Sequence, residues 1–486
     1  MENKSIASSF VWKLCERGAS QLITIVVQII LARLLAPEDF GALAILVVFT
    51  DLANVFIQKG FASSIIRKKN ATEDDYNTAF IVSEAIALVC VCCLFFASPY
   101  IASFYRNPKI VSYLRVLSLS LLFGALYSIE NAVLVRDMKF KVVFVRSLAA
   151  AIISGTLGII CAYLGLGAWA LIIQVVTQQA VLCVVTYFGC SWKPRLLFSR
   201  TSFTSIFSFG SRILIAELIS IGVEDLRTLI IGKKYSSSDL AFYDRGQYYP
   251  NAAMRGLYDT ISSVMLPVLS KDQDNKELLR HRIVQSVNTA IYLISPLFVG
   301  LAAVADLFVI LLLTNRWEAS IPFLRLFCIY QLAFPIYGIM RQTLYAIGNS
   351  TAVLKLEIAR GGLFITAIII GCMISPFAIA IATSIALYAT TIIYAWYVQK
   401  QTGYDVKAIL KGIGCTALQC TVMYLFIVII NRLKLSMVVL FFLDIVLGAA
   451  LYFALSVVLR NESYLFLKEF IVSYMGEKGN NGKHKS

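Results

Sequence analysis

The chain has 486 residues, of which 59% are hydrophobic and 15% are charged. A soluble domain typically carries about 25% charged residues, so this chain lacks the polar surface that a water-exposed fold needs. The net charge of +15 would suggest nucleic acid as a partner of a soluble protein, but no basic domain or aromatic–basic platform is present. Composition therefore excludes a soluble fold and predicts an all-α polytopic membrane protein that binds no nucleic acid.

About fourteen apolar segments are long enough to cross a bilayer, since a spanning helix needs roughly 20 apolar residues. They run over residues 10–35, 40–57, 78–97, 111–134, 142–164, 168–188, 203–231, 240–269, 283–313, 321–347, 353–374, 377–398, 413–430 and 437–459. The segment that begins at Leu240 is the least apolar, so a total of twelve or thirteen transmembrane helices also fits the pattern.

A weak internal repeat divides the first twelve segments into two sets of six. Residues 35–41 (LAPEDFG) correspond to residues 235–241 (YSSSDLA), and each stretch connects the first two segments of its set. Six is an even number, so the two halves would have the same orientation in the membrane. We therefore predict two six-helix lobes, two additional transmembrane helices and a cytoplasmic tail. Their ranges are 1–200, 201–402, 403–460 and 461–486.

Loop charge predicts the orientation of the chain. Lysine and arginine residues in one set of alternate loops and in the C-terminal tail number about 21, against 7 in the opposite set. Because basic residues are enriched on the cytoplasmic side, both termini should be cytoplasmic.

Charged residues inside the apolar segments are the main functional signal, because a charge that faces lipid is costly and usually lines water or a functional path instead. Arginine binds phosphate through a planar, two-pronged guanidinium, so several buried arginines indicate an anionic ligand. The arginines predicted to line a cationic substrate-binding cavity are Arg17, Arg212, Arg245, Arg255, Arg341 and Arg360. The alternative for each is ion pairing between helices, and Glu357 lies in the same segment as Arg360.

The seventh segment carries Glu217, Glu224 and Asp225. Neighbouring carboxylates in a low dielectric favour uptake of a proton or another cation. These three residues are the candidates for coupling transport to H⁺ or Na⁺. Structural pairing between helices is again the alternative.

Enzymatic chemistry has little support in the sequence. The two histidines, His281 and His484, both lie outside the segments, and the eleven cysteines lack metal-ligand spacing. No loop is long enough to form a catalytic domain. We therefore expect no enzyme, no metal and no cofactor.

Several stretches resemble the Wzx-type polysaccharide flippases, more narrowly the branch that resembles the colanic acid exporter. They are residues 31–41 (LARLLAPEDFG), 59–68 (KGFASSIIRK), 243–245 (YDR) and 265–270 (MLPVLS). This family belongs to a superfamily that also contains the lipid II flippase and the MATE drug exporters. The family has no strict catalytic motif, so the site residues above depend on the charge argument.

The resemblance implies two lobes around a central cationic cavity that opens to one side at a time. It implies that a monomer in the bacterial inner membrane transports an undecaprenyl-pyrophosphate-linked oligosaccharide outward for cell-surface polysaccharide synthesis. Three alternatives remain. A MATE-like cation or drug antiporter predicts an acidic cavity, a glycan polymerase or ligase predicts a long outward loop, and a scaffold would leave the buried charges without a use.

Overall fold

The computed structural model describes residues 2–68, 71–271, 275–433 and 435–469, with the side chains of residues 2–17 and of most residues in 208–224 and 258–271 outside that description. Within these ranges the chain is helical and contains no strand. The helices are α1 (Glu2–Leu34), α2 (Pro37–Asn54), α3 (Gly60–Arg67), α4 (Glu73–Phe104), α5 (Lys109–Arg136), α6 (Phe140–Tyr163), α7 (Ala168–Gly189), α8 (Arg200–Lys234), α9 (Ser237–Lys271), α10 (Lys276–Ala303), α11 (Ala305–Leu312), α12 (Ile321–Ala346), α13 (Ser350–Cys372), α14 (Pro376–Thr402), α15 (Val406–Ile430) and α16 (Met437–Val458). A π-helical turn at Val55–Lys59 joins α2 to α3, and a 3₁₀ helix at Asn315–Ser320 precedes α12.

Among the described residues, ten helices are long and apolar enough to cross a membrane. This confirms the prediction of an all-α polytopic membrane protein, while the total of fourteen spans stays a prediction. Helix α13 is not among the ten, because Lys355, Glu357 and Arg360 lie within six residues of one another. Helix α13 is thus a long helix outside the ten that carries a predicted site residue, Arg360.

Polar side chains mark where many of the helices begin. Ser199, Asn275, Ser375 and Ser436 each accept a hydrogen bond from a backbone N–H in the first turn of the following helix. Such caps satisfy N–H groups that have no partner within the helix. In the described part of the chain, the connections between helices are short and form no separate domain.

The chain divides into two compact units, residues 1–244 and 245–486. In the first unit, α8 packs on α2 and α3. In the second unit, α12 packs on α10 and α14, and α15 packs on α10. The predicted lobe boundaries at residues 200 and 402 stay a prediction, as does the separate pair of C-terminal helices.

The two stretches predicted to be a repeat have the same local structure. Asp39 Oδ2 accepts a hydrogen bond from the backbone N–H of Ala36 at 3.3 Å, and Asp239 Oδ2 accepts one from Ser236 at 3.1 Å. Each aspartate is therefore the third residue of its helix and turns back to the residue that precedes it. This shared geometry supports the predicted duplication.

The same two stretches also contact each other, and we name residues 35–41 together with residues 235–241 the repeat clasp. Ser238 Oγ donates a hydrogen bond to Glu38 Oε1 at 2.6 Å. A Cβ atom added at Gly41 would lie 1.8 Å from the carbonyl oxygen of Ser237. Only glycine allows the two backbones to approach this closely.

The clasp gives a prediction for Gly41→Ala. The added methyl group collides with the backbone of Ser237, so the helices must separate, and overpacking of this kind costs about 1–3 kcal/mol. Thermal unfolding in detergent should show a lower midpoint for this variant. The matched control is Gly414→Ala in α15, where a Cβ meets nothing within 4 Å. Equal midpoints for the two variants would contradict the close approach.

Candidate functional site

Three helices of the second unit bring charged and phenolic side chains together. Helix α12 supplies Tyr337 and Arg341, helix α13 supplies Glu357 and Arg360, and helix α14 supplies Tyr394. Residues three or four apart share a helical face, which is why each of the first two helices contributes a pair. We name these five residues the shared-carboxylate cluster.

Glu357 is the centre of the cluster. Its Oε2 accepts a hydrogen bond from Arg360 Nε at 2.8 Å, and its Oε1 lies 3.8 Å from Arg341 Nη1. The same Oε1 accepts hydrogen bonds from the hydroxyl groups of Tyr337 and Tyr394, at 2.5 and 2.9 Å. One carboxylate therefore interacts with two guanidinium groups and two phenols.

The charges of the cluster do not cancel. Two arginines and one glutamate leave a surplus of one positive charge, and both guanidinium groups lie over the ring of Tyr337, at 5.4 and 6.0 Å from its centroid. The side chains of Arg341, Glu357 and Arg360 are 28%, 25% and 25% exposed. The surplus charge can thus be reached from outside the protein.

The depth of the cluster follows from helix geometry. Arg341 lies five residues before the end of α12 and Glu357 lies seven residues after the start of α13. At 1.5 Å per residue, these positions are about 8 and 10 Å inside the helix ends. A surplus charge at that depth is unfavourable against lipid, so we expect the exposed quarter of the cluster to face water or a ligand.

The other predicted arginines have different surroundings. The guanidinium of Arg245 is buried, with the rings of Tyr248 and Trp317 at 5.4 and 5.6 Å, and Trp317 itself is fully buried. Arg255 is exposed on α9. The side chains of Arg17 on α1 and Arg212 on α8 lie outside the described residues.

The predicted coupling residues all lie on α8. Glu217 and Asp225 are half-buried there, and the side chain of Glu224 lies outside the described residues. Within the described part of the chain, no group of three or more His, Cys, Asp or Glu side chains could hold a metal ion. The coupling role of these three acids stays a prediction.

The sequence argument missed a polar group in the first unit. Arg146 on α6 is buried, and its Nη1 donates hydrogen bonds to Asn131 Oδ1 on α5 and Thr186 Oγ1 on α7, at 3.0 and 3.2 Å. Its guanidinium lies 5.6 Å from the ring centroid of Tyr127. The sequence offered a signal for this residue, since Arg146 is a charged residue inside the fifth predicted span, residues 142–164. Its contacts connect three helices and give it a packing role.

The chain is similar in sequence to known proteins of polysaccharide biosynthesis. The family described as polysaccharide biosynthesis protein matches residues 30–322, more than half of the chain. The succinoglycan biosynthesis transport protein ExoT of Rhizobium meliloti is 23% identical over 66% of this chain, and the match spans 65% of that protein. The lipopolysaccharide biosynthesis protein WzxC of Escherichia coli is 24% identical over 70% of each chain.

Solved structures show the same fold at low identity. The lipid II flippase MurJ in an inward closed conformation has a TM-score of 0.74, with 17% identity, and the match covers 95% of this chain and 100% of that one. A multidrug resistance MATE transporter in an inward-facing conformation has a TM-score of 0.60, with 14% identity over 79% of this chain and 94% of the other. The helical arrangement is thus the one found in flippases and multidrug exporters, and the chain belongs to the polysaccharide biosynthesis protein family, in agreement with the predicted resemblance to Wzx-type flippases.

Proposed function

We propose that this protein transports an undecaprenyl-pyrophosphate-linked oligosaccharide across the bacterial inner membrane for cell-surface polysaccharide synthesis. The observation that supports the proposal is the shared-carboxylate cluster, because its net positive charge lies about 8 to 10 Å inside the helix ends and is partly exposed. A phosphorylated head group supplies the missing negative charge. The named roles of the relatives, in succinoglycan transport and lipopolysaccharide biosynthesis, support a saccharide cargo.

Glu357 has a defined role in this proposal. When no substrate is bound, it gives both guanidinium groups a carboxylate partner, which offsets part of their desolvation cost in a low dielectric. A pyrophosphate offers more acceptor oxygens than one carboxylate and binds guanidinium groups in two-pronged fashion. The substrate therefore competes with Glu357 for Arg341 and Arg360. When the substrate leaves, Glu357 forms its ion pairs with both arginines again.

Aromatic hydroxyls and the remaining arginines complete the proposed site. Tyr337 and Tyr394 already donate to Glu357, and the same hydroxyl groups suit phosphate or sugar oxygens. Arg17, Arg212 and Arg255 are proposed to line the path of the head group. We assign Arg245 to packing rather than to substrate contact, since its guanidinium is enclosed by aromatic rings.

The transport cycle is proposed to be alternating access by a monomer with both termini in the cytoplasm. Moving a charged head group against a gradient requires an energy source, and Glu217, Glu224 and Asp225 are the proposed sites for H⁺ or Na⁺. A MATE-like cation antiporter would need a negative site for its ligand. The surplus positive charge of the cluster disfavours that alternative.

The arginines of the cluster give the principal prediction. Arg341→Ala and Arg360→Ala should each reduce transport about 10- to 100-fold, because each removes a charged hydrogen bond worth about 1.5–3 kcal/mol. The measurement is the rate at which purified protein in proteoliposomes moves a fluorescent undecaprenyl-pyrophosphate-linked oligosaccharide between leaflets. Arg325→Ala is the matched control, since Arg325 pairs with the exposed Asp306 on the same unit. Unchanged rates in both cluster variants would refute the proposed site.

Glu357→Gln separates the counter-ion role from substrate contact. Loss of the carboxylate leaves two arginines without their shared partner, so the free energy of unfolding should fall by about 1–3 kcal/mol. Inorganic pyrophosphate should restore part of the lost stability, since it returns negative charge to the cluster. Thermal unfolding with and without pyrophosphate measures both effects.

Asp306→Asn is the control for that experiment, because its arginine pair is exposed and should be worth less than about 1 kcal/mol. If pyrophosphate stabilises both variants equally, the anion does not bind at the cluster.

Neutral variants of the acids on α8 test the coupling. In proteoliposomes that carry a pH gradient or a Na⁺ gradient, wild-type transport should respond to one of the two gradients. The double variant Glu217→Gln with Asp225→Asn should lose that response while transport down a substrate gradient continues. Glu277→Gln, an exposed acid at the start of α10, should behave like wild type. A response that survives in the double variant would exclude these two acids as coupling residues.

A further inference from the structure

Helix α16 buries one continuous stripe of side chains. The buried residues are Leu440, Asp444, Gly448, Tyr452 and Ser456, and they recur at every fourth position. This spacing places them on one face of the helix. Asp444 is therefore a carboxylate in the middle of a packing surface. It has no exposed surface and lies seven residues, about 10 Å, from the helix start at Met437.

The other polar members of the stripe have partners on α10. The hydroxyl of Tyr452 donates to the backbone oxygen of Tyr292 at 2.8 Å, and the hydroxyl of Tyr292 donates to Ser456 Oγ at 2.9 Å. Neither carboxylate oxygen of Asp444 accepts a hydrogen bond from the described residues. A buried polar group without a hydrogen bond is costly, so this exception requires an explanation.

The nearest polar side chain is that of Asn431, at the end of α15. Helices α15 and α16 run antiparallel, and a Cβ added at Gly448 would lie 3.0 Å from Ile427 Cδ1. Asn431 is one turn beyond Ile427, and Asp444 is one turn before Gly448, so the two polar side chains face each other. Asn431 Oδ1 is itself buried and has no donor among the described residues. The amide Nδ2 of Asn431 can donate to one carboxylate oxygen, but the other carboxylate oxygen and Asn431 Oδ1 are both acceptors and have no hydrogen between them.

No ion pair among residues 275–433 and 435–469 explains the carboxylate either. The titratable or charged groups on the elements packed against α16 include Tyr292 on α10, Asp306 on α11, and Cys415, Cys420, Tyr424 and Arg432 on or next to α15. The remaining ones are in the first two turns of α10 and α15, far along the helices from Asn431: Lys276, Glu277, Arg280, His281, Arg282, Lys407 and Lys411. Arg432 is exposed and Asp306 is paired with Arg325. Lys434, in the connection between α15 and α16, lies outside the described residues. An ionised carboxylate in this position would carry a desolvation cost of several kcal/mol.

We propose that Asp444 is a proton-binding site: in the packed state the carboxyl group carries a proton and donates it to Asn431 Oδ1. One proton neutralises the charge and supplies the hydrogen that the facing oxygens lack. The proton enters from the aqueous phase next to Asn431 and Arg432, where α15 ends. When the proton leaves, the carboxylate is charged inside the stripe, and α16 loses its packing against α10 and α15. The site is independent of the shared-carboxylate cluster.

Infrared spectroscopy of the protein in lipid nanodiscs tests the protonation directly. At neutral pH, the spectrum of wild type minus that of Asp444→Asn should contain the carbonyl band of one protonated carboxylic acid. Asparagine keeps a donor for Asn431 Oδ1, so this variant should fold. The difference spectrum for Asp306→Asn should lack the band, because Asp306 is exposed and paired with Arg325. Absence of the band from the Asp444→Asn difference overturns the proposal.

Stability against pH gives a second readout. If the folded state holds a proton that the unfolded state has released, stability falls as the pH rises. The thermal midpoint of wild type should decrease between pH 6 and pH 9, whereas the midpoint of Asp444→Asn should change less. The same measurement is made with Na⁺ and with choline. Stabilisation by Na⁺ that disappears in Asp444→Asn would identify a metal cation in place of the proton and overturn the proposal.

Discussion

The main constraint on this structure is that arginine side chains within a bundle of apolar helices need a partner for their charge. Glu357 is the partner of two arginines: it accepts a hydrogen bond from Arg360 and makes a longer ionic contact with Arg341. The hydroxyl groups of two tyrosines donate hydrogen bonds to the same carboxylate and fix its position. Full pairing would neutralise the cluster and leave no attraction for an anion. No pairing would be too costly in a low dielectric. Two arginines that share one carboxylate have a net charge of +1, and in the proposed function a phosphorylated ligand neutralises it.

The same constraint explains how the rest of the polar residues are distributed. Arg146 is satisfied by Asn131 and Thr186, and Arg245 is enclosed by aromatic rings. Both arginines are buried among residues of their own unit, and we propose that they stabilise packing. Partial exposure of Arg341, Glu357 and Arg360 distinguishes the cluster around Glu357 from them. A charged residue within an apolar segment thus marks an important position, and its surroundings decide whether we assign it to helix packing or propose a role in ligand binding.

The class of fold was predictable from the sequence because the length of an apolar segment is a local property of the chain. The repeat at residues 35–41 and 235–241 was also recognisable, but its direct contact through Gly41 and Ser237 was not, since that contact joins stretches 200 residues apart. Arg341 and Arg360 were predicted as site residues from their charge, and the structure places both next to Glu357. Glu357 as their shared partner, and Tyr337 and Tyr394 as its donors, required knowledge of which faces of α12, α13 and α14 meet.

The most direct test of the central claim is a structure of the protein in nanodiscs with an undecaprenyl-pyrophosphate-linked saccharide bound. The account predicts pyrophosphate oxygens about 2.7–3 Å from the guanidinium nitrogens of Arg341 and Arg360, with Glu357 displaced from at least one of them. A pyrophosphate bound elsewhere, with Glu357 still holding both arginines, would contradict it.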